Sequence, residues 1–483
     1  MASSLYSQQV VWNSHAQATV GPGWLVIDGG TITACGQGTR QQWQEAVAPD
    51  VERTDLGQRL IAPAFINAHT HLPMIAYRGV VRPTLLGGNV VEEVYFRIEG
   101  HLQPGDVKAF TRIGAYESLL TGVGCVWDHY YYGNEVALAL VETGLSGVVA
   151  PTLQDIRGPG TGWREQQVEA TVAIHEDSAL KNAGIVAALG PHATDSVSSD
   201  LWQQVRDLAN DLDLPIHVHV AQSIEEYERS VDEHGCSPIL RLHREGSLEA
   251  GSGMFLVHGL FASNADIAVL EPSRHTLVYC PYSQVQFGFP AHIDSWREAG
   301  INLAVGTDCA ACNDSMDVQQ ELRVLAWGAS FATTHAEQLA TFREQNSLDS
   351  ARALWSERGS RHNVISPLAE PDTLLKTVWS TPGEAHKGLP LGRLAPGYGA
   401  NIVIWDTEHP SFWPASDPLR VLTMSTVSGA IWGMMVQGKW IGTAGDYHRS
   451  LAQSPEYKEA TSEARQRMQR LLERADLPTL LGG

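Results

Sequence analysis

Apolar and polar positions alternate along this chain in two distinct ways. Near the start, WLVIDGGTITACG (24–36) sets two β-rich runs on either side of Asp28-Gly29-Gly30, the composition of a tight hairpin turn. The same texture returns near the other end, in GANIVIWD (399–406) and AIWGMMVQGKWIG (430–442), the latter broken at Gln437-Gly438. Strand-rich segments at both ends predict a small β-sandwich assembled from the two termini. Between them the chain repeats another unit: four to six apolar or β-branched residues, a polar or histidine-bearing cluster, then an amphipathic stretch such as DLWQQVRDLANDL (200–212). The apolar runs lie in RLIAPAFINAHTHL, GVGCVWDHY, LSGVVAPTL, GIVAALGPH, PIHVHVAQS, GMFLVHGLF, HTLVYCPYS and INLAVGTDC. Eight such runs alternating with helices predict an α/β fold of the (β/α)8 TIM-barrel type, which carries its chemistry just beyond the strand C-termini. The expected division is 1–58 and 376–445 for the two parts of the sandwich, 59–375 for the barrel, and 446–483 for a charged helical tail that packs outside.

Composition narrows the function. The chain has 483 residues, 43% of them hydrophobic and 18% charged, which supplies a large core and excludes disorder. Lys plus Arg number 33 against 54 Asp plus Glu, a net charge of −21 that disfavours phosphate backbones and anionic lipids as partners. Neither nucleic acid nor membrane is therefore expected. No apolar run reaches the roughly 20 residues needed to span a bilayer. The opening MASSLYSQQVVWNSH has no basic segment leading into an apolar one, so a cytoplasmic location is expected. Six cysteines are too sparse for a disulfide scaffold and suit a reducing compartment.

The candidate chemistry begins at His69-Thr70-His71. Residues i and i+2 of a strand point the same way, so two imidazoles can reach one ion. This pair ends the first strand candidate, His217-Val218-His219 the fifth, His258 the sixth and Asp308 the eighth. Imidazoles plus one carboxylate, with a position left open for water, form the usual ligand set of a hydrolytic zinc.

At these residues the sequence resembles the amidohydrolase superfamily. INAHTHLPMIAYRG (66–79), GPH (190–192), HVHVAQS (217–223), LVHG (256–259) and GTDCAACND (306–314) carry the likeness, and LGRLAPGYGANIVIWD (391–406) is similar to its closing segment. The branch it is most similar to is the cytosine-deaminase-like one, with S-adenosylhomocysteine/methylthioadenosine deaminases and triazine (atrazine) hydrolases. The resemblance implies one divalent metal ion, Zn2+ with Fe2+ as the alternative, held by His69, His71, His219 and Asp308. It implies Asp308 as proton carrier and His258 as the group that hydrogen-bonds the attacking water or the developing oxyanion. Its substrate-contacting positions fall on His192, on Glu99 as a binder of sugar hydroxyls, and on Arg164 as a holder of a substrate carboxylate. A second arginine expected near Pro151-Thr152 is missing, which argues against an amino-acid tail on the substrate. Family members are often dimers or higher assemblies, so a homo-oligomer is expected. A loop over the pocket is expected from about Arg82 to Leu102. His129, which opens the aromatic cluster His129-Tyr130-Tyr131-Tyr132, is read as a pocket residue, and His217 as structural.

The departure that matters most is Gln222, where the aminohydrolase relatives carry a proton-shuttling glutamate. An amide donates and accepts hydrogen bonds but does not transfer protons at neutral pH, and such help is worth roughly 10²–10⁴ in rate. Three readings stay open. Gln222 orients a heterocycle while Asp308 and His258 handle the protons; or the substrate is a cyclic amide, an amidine or a chlorinated triazine that needs no ring protonation; or the site is catalytically silent and only binds. Gln284 and Gln286 replace the family's Asn and Lys in CPYSQVQFG (280–288), and Gln284 is taken as substrate-contacting. Cys309 and Cys312 stand where Gly and Ser are frequent; a C-x-x-C can mark a second metal or a redox pair, but no matching second pair exists, and they are read as small-residue packing. The expected reaction is hydrolysis of a C–N bond in a small nitrogen-rich heterocycle.

Overall fold

In the computed structural model, residues 2–14, 17–79, 89–286, 293–332, 336–345 and 347–475 are described. The chain opens with β1 (Ser3–Asn13), β2 (Ala18–Asp28), β3 (Thr31–Gln37), β4 (Glu52–Asp55) and β5 (Leu60–Pro63). It continues with β6 (Phe65–Thr70), β7 (Val123–Tyr130), β8 (Ser146–Leu153), β9 (Ile185–Ala187), β10 (Gly190–Pro191), β11 (Ile216–Val220), β12 (Met254–His258), β13 (His275–Tyr279) and β14 (Asn302–Val305). It returns to strand in β15 (Ile402–Trp405), β16 (Ile431–Val436) and β17 (Lys439–Ile441). Every one of the eight central apolar runs contains a strand. The first run is divided: β5 pairs with β1 and β15, while β6 begins after Ala64 and pairs with β7.

Strands from the two ends of the chain share one sheet, ordered β17-β16-β15-β5-β1-β2-β3 with β4 also on β1. Both anticipated hairpin turns are present. Gly29 and Gly30 reverse the chain between β2 and β3 with φ of 57° and 89°, and Gln437-Gly438 does so between β16 and β17. The central strands form two parallel sheets, β10-β8-β7-β6 with β9 on β8, and β11-β12-β13-β14. Isolated parallel bridges join their edges: Thr70 to Asp308 on one side, Leu189 to Ile216 and Ala193 to His219 on the other. One apolar cluster draws on both sheets, with Ile66, Ala68, Trp127, Val148, Ala150, Val186, Phe255, Val257, Val278 and Ala304 all buried. Trp127 and Phe255 stack in it at 4.2 Å. Alternate residues of the same strands, such as Val126, Val149 and Leu256, pack outward in the larger helix-lined core. Burial on both faces is why these strands read as unbroken apolar runs.

The tail helix spans Pro455–Arg474 and is pinned by Arg467 to Asp106 at 3.4 Å and by a closer Arg474–Asp106 ion pair. Among the described residues no helix is long and apolar enough to cross a membrane. Residues 82–88 of the anticipated loop lie outside the described residues, as does the side chain of Gln286.

Candidate active site

The strand ends bring the histidines together. His69 ends β6 with Thr70, and His71 follows just outside the strand, at the head of the short 3-10 turn Leu72–Tyr77. Asp308 is carried to them by β14. Its amide donates to the His69 carbonyl at 3.1 Å, its own carbonyl accepts from Thr70 Oγ1 at 3.0 Å, and Asn67 bonds Thr307 at 2.8 Å. Gly306 is required at this crossing, because a Cβ there would lie 2.7 Å from the His69 nitrogen and oxygen. Asp308 and His258 both adopt left-handed backbone, with φ of 59° and 77°. Non-glycine residues hold that conformation only when their surroundings impose it, and such positions gather at functional sites.

Three imidazoles aim Nε2 at one point. His219 Nε2 lies 3.3 Å from both His69 Nε2 and His71 Nε2, and Asp308 Oδ1 lies 3.7 Å and 3.5 Å from those two. Each opposite ring nitrogen is tied off. His71 Nδ1 donates to the His129 carbonyl at 2.5 Å, His219 Nδ1 to the His192 carbonyl at 2.8 Å, and His69 Nδ1 meets His217 Nε2 at 2.9 Å. With the protons on Nδ1, the three Nε2 lone pairs converge without a protein donor between them. A tetrahedral ion with ligands at about 2.0–2.1 Å places neighbouring donors about 3.3–3.4 Å apart, so the spacing fits a cation such as Zn2+. Burial and the neighbouring imidazoles push His69 and His219 well below the ordinary histidine range, and burial lowers His71 despite Asp308. The rings are therefore neutral at physiological pH, the state a metal ligand requires.

Around this point lies a cavity of about 410 Å³, lined among others by His129, His192, Gln222, His258, Gln284 and Glu99. His258 stacks on His219 at 5.4 Å, and its Nδ1 accepts from the Gln284 amide at 3.0 Å. His129 lies parallel to His219 at 4.9 Å and donates from Nε2 to the Gly190 carbonyl at 3.1 Å, which leaves its buried Nδ1 as an unpartnered acceptor. His192 Nδ1 is held by Ser196 Oγ at 2.9 Å. Gln222 is half-buried on the wall, its backbone N–H donating to Glu226 Oε2 at 2.8 Å.

Glu99 accepts from the Tyr130 hydroxyl at 2.8 Å, and burial pushes its carboxyl up to about 7. An unfolded glutamate ionises above about 4.5, so this burial costs stability as pH rises from there to about 7. In the metal-free protein Glu99→Gln is expected to gain about 2.5 kcal/mol relative to the parent at pH 8 compared with pH 5. Urea midpoints of both proteins at the two pH values check this; equal differences would refute it.

Arg164 stands apart from the converging groups. It heads the helix Arg164–Glu176, where its guanidinium donates to Gln204 Oε1 at 2.7 Å and lies 3.6 Å from Asp155 Oδ2, and it is not among the cavity-lining residues. The short turn Pro159–Gly162 precedes that helix. Among the described residues, the arginines that line the cavity are Arg157 and Arg229. Arg229 is claimed by Glu92 at 2.6 Å and Asp195 at 2.7 Å, so it fastens two segments of the rim together. Neither arginine belongs to a recognisable motif, so neither stands out in the sequence. Three buried supports are equally silent there. Glu226 holds the turn after β11, Asp128 Oδ2 accepts from the Leu72 amide next to His71 at 2.7 Å, and Ser283 donates to Asp308 Oδ2 at 2.9 Å. His217, read as structural, contacts the first of the converging histidines directly.

Comparison with known proteins places this geometry. The profile of the amidohydrolase family matches residues 60–354. The chain is 27% identical over 406 residues to a 5-methylthioadenosine/S-adenosylhomocysteine deaminase of Halobacterium salinarum, covering 83% of this chain and 84% of that one. It is 29% identical over 303 residues to a 5'-deoxyadenosine deaminase of Methanothrix thermoacetophila, covering 62% and 69%. Among solved structures, an adenosine deaminase from Xanthomonas campestris with bound zinc superposes with a TM-score of 0.79 at 21% identity, covering 97% of this chain and 98% of that one. The zinc complex of atrazine chlorohydrolase from Arthrobacter aurescens does so with a TM-score of 0.75 at 17% identity, covering 96% and 99%. At these identities the two structural likenesses are likenesses of fold.

Proposed function

The chain belongs to the amidohydrolase family and is a hydrolase of carbon–nitrogen bonds other than peptide bonds; from that premise we propose that it removes an amino group from a small nitrogen-rich heterocycle, using one divalent ion held by His69, His71, His219 and Asp308. The observation that carries this reading is the convergence of three Nε2 atoms and one carboxylate oxygen, 3.3–3.7 Å apart, in a cavity of small-molecule size. Bound there, a Zn2+ ion would lower the pKa of a water from 15.7 toward about 7 and so supply hydroxide at neutral pH. Zinc in the related structures supports that ion over Fe2+.

The side chains divide the remaining work. Asp308 takes the proton of the attacking water and delivers it to the leaving nitrogen, with Ser283 holding its second oxygen in place. Because Gln284 occupies Nδ1 of His258, that ring keeps its proton on Nε2 and offers it to the oxyanion. Gln222 and His192 orient the ring, His129 presents a bare acceptor to an N–H of the substrate, and Glu99 bonds a polar substituent. The same reading closes the two parallel sheets into the (β/α)8 barrel through the bridges at their edges, with the sheet from both chain ends as a flanking β-sandwich and the domain limits given above. A cytoplasmic homo-oligomer is part of it, supported by the sparse cysteines and by the habit of the family.

The test measures metal content together with ammonia release from a panel of aminopurines, aminopyrimidines and aminotriazines. One equivalent of metal and ammonia from at least one class is expected. Gln222 motivates the second reading, a hydrolase of a cyclic amide, amidine or chlorinated triazine, which would show as ring-opened product or chloride without ammonia. Bound metal with no product from any substrate would instead leave a binding protein.

A further inference from the structure

Cys309 and Cys312 take no part in the reaction described above, yet they lie beside it. Both are buried, both line the cavity, and their Sγ atoms are 3.0 Å apart. Cys312 Sγ also touches Ser283 Oγ at 3.4 Å and the Cys309 carbonyl at 3.2 Å. Asp308 stands between two groups of donors. Its Oδ1 faces His69 and His71, while Oδ2 takes the Ser283 hydroxyl on the cysteine side. A carboxylate oxygen of Asp308 and the two sulfurs all lie within 4.8 Å of one another. The Tyr95 hydroxyl is buried against the same pair, and burial, the two cysteines, Asp308 and a side-chain hydrogen bond with Cys309 push it upward.

We propose that Cys309 Sγ, Cys312 Sγ and Asp308 Oδ2 form a second cation subsite, selective for thiophilic ions such as Zn2+ or Cd2+ and placed back to back with the histidine site. It rests on the reading in which Asp308 Oδ1 serves the ion held by the histidines; a second ion on Oδ2 takes the oxygen that Ser283 otherwise holds and leaves Asp308 none for the proton, so the doubly loaded protein is the form that does not react. Soft sulfur donors select d10 ions over Mg2+ or Ca2+. Binding is an exchange without redox change: the cation enters, two S–H bonds break, two metal–sulfur bonds form, and two protons leave to solvent. Metal–sulfur distances of about 2.3 Å in a tetrahedron set the sulfurs about 3.8 Å apart, so the 309–312 turn must open by about 0.8 Å. A disulfide at about 2.05 Å would need a similar movement inward, and it is the alternative that the reduced starting state of the experiment excludes.

The experiment titrates the metal-stripped, reduced full-length chain with Cd2+, following stoichiometry and the thiolate-to-cadmium charge-transfer absorption. The parent is expected to bind two equivalents and to develop the thiolate band. Cys309→Ser/Cys312→Ser should bind one equivalent without the band, and Cys125→Ser, altered in the apolar cluster, should behave as the parent. His69→Ala/His71→Ala should lose one equivalent and keep the band, which separates failure of this subsite from failure of the histidine site. Uptake of a single equivalent without thiolate absorption would overturn the proposal. So would persistence of the band in the double cysteine variant, its loss in the double histidine variant, or a Cys309–Cys312 disulfide that survives reduction.

Discussion

His69→Ala/His71→Ala is expected to bind no metal at the histidine site and to turn over substrate at least about 10⁴-fold more slowly than the parent. At pH 7 a water of pKa 15.7 is ionised to about one part in 10⁹, whereas one of pKa about 7 is half ionised. The nucleophile therefore disappears with the ion. His69 is fully buried and His71 partly so, and each sits 3.3 Å from His219, so alanines remove two of four converging donors without touching the apolar cluster beneath. Metal analysis of the dialysed protein and single-turnover rates measure the effect. Full metal occupancy at the histidine site in the double variant would remove the basis of the proposed mechanism.

The second large effect is expected at Gln222, on the cavity wall. Gln222→Glu should raise ammonia release from aminoheterocycles whose ring nitrogen must be protonated, by roughly 10²–10⁴. The new carboxyl would be set on a turn already held by Glu226, a buried acid pushed up to about 8 by burial and Asp195, with Glu225 also on the wall. Neighbouring carboxyls keep one another protonated, which is the form that donates. The measurement is kcat/KM for ammonia release by parent and variant on the same substrate. A fall would make the amide itself part of the working chemistry, and no change would mean the native reaction needs no proton at that position.

Much of the molecule is legible in local pattern. Strands buried on both faces must be apolar throughout, so GVGCVWDHY and GMFLVHGLF declare β7 and β12 without reference to any neighbour. The Gly29-Gly30 and Gln437-Gly438 turns are equally local, because positive φ restricts which residues stand there. The histidines at the strand ends could be named for a related reason: parallel strands flanked by helices deliver their C-termini to one side.

Groups chosen by contacts distant in sequence were not legible. Arg164 and Arg157 lie seven positions apart, and only the turn between them and the helix it starts determine which one reaches the cavity. The 2.9 Å contact of His217 with His69 spans 148 residues, and that of Gln284 with His258 couples the ends of two strands. That Asp308 stands between the histidines and the Cys309–Cys312 turn, with Ser283 on its second oxygen, is visible only in the packed chain. Periodicity and turn chemistry are properties of a few consecutive residues, so the order of residues alone sets the elements and the side on which their ends emerge. The direction in which each side chain finally points depends on backbone strain and on partners hundreds of residues away, which exist only once the chain has packed.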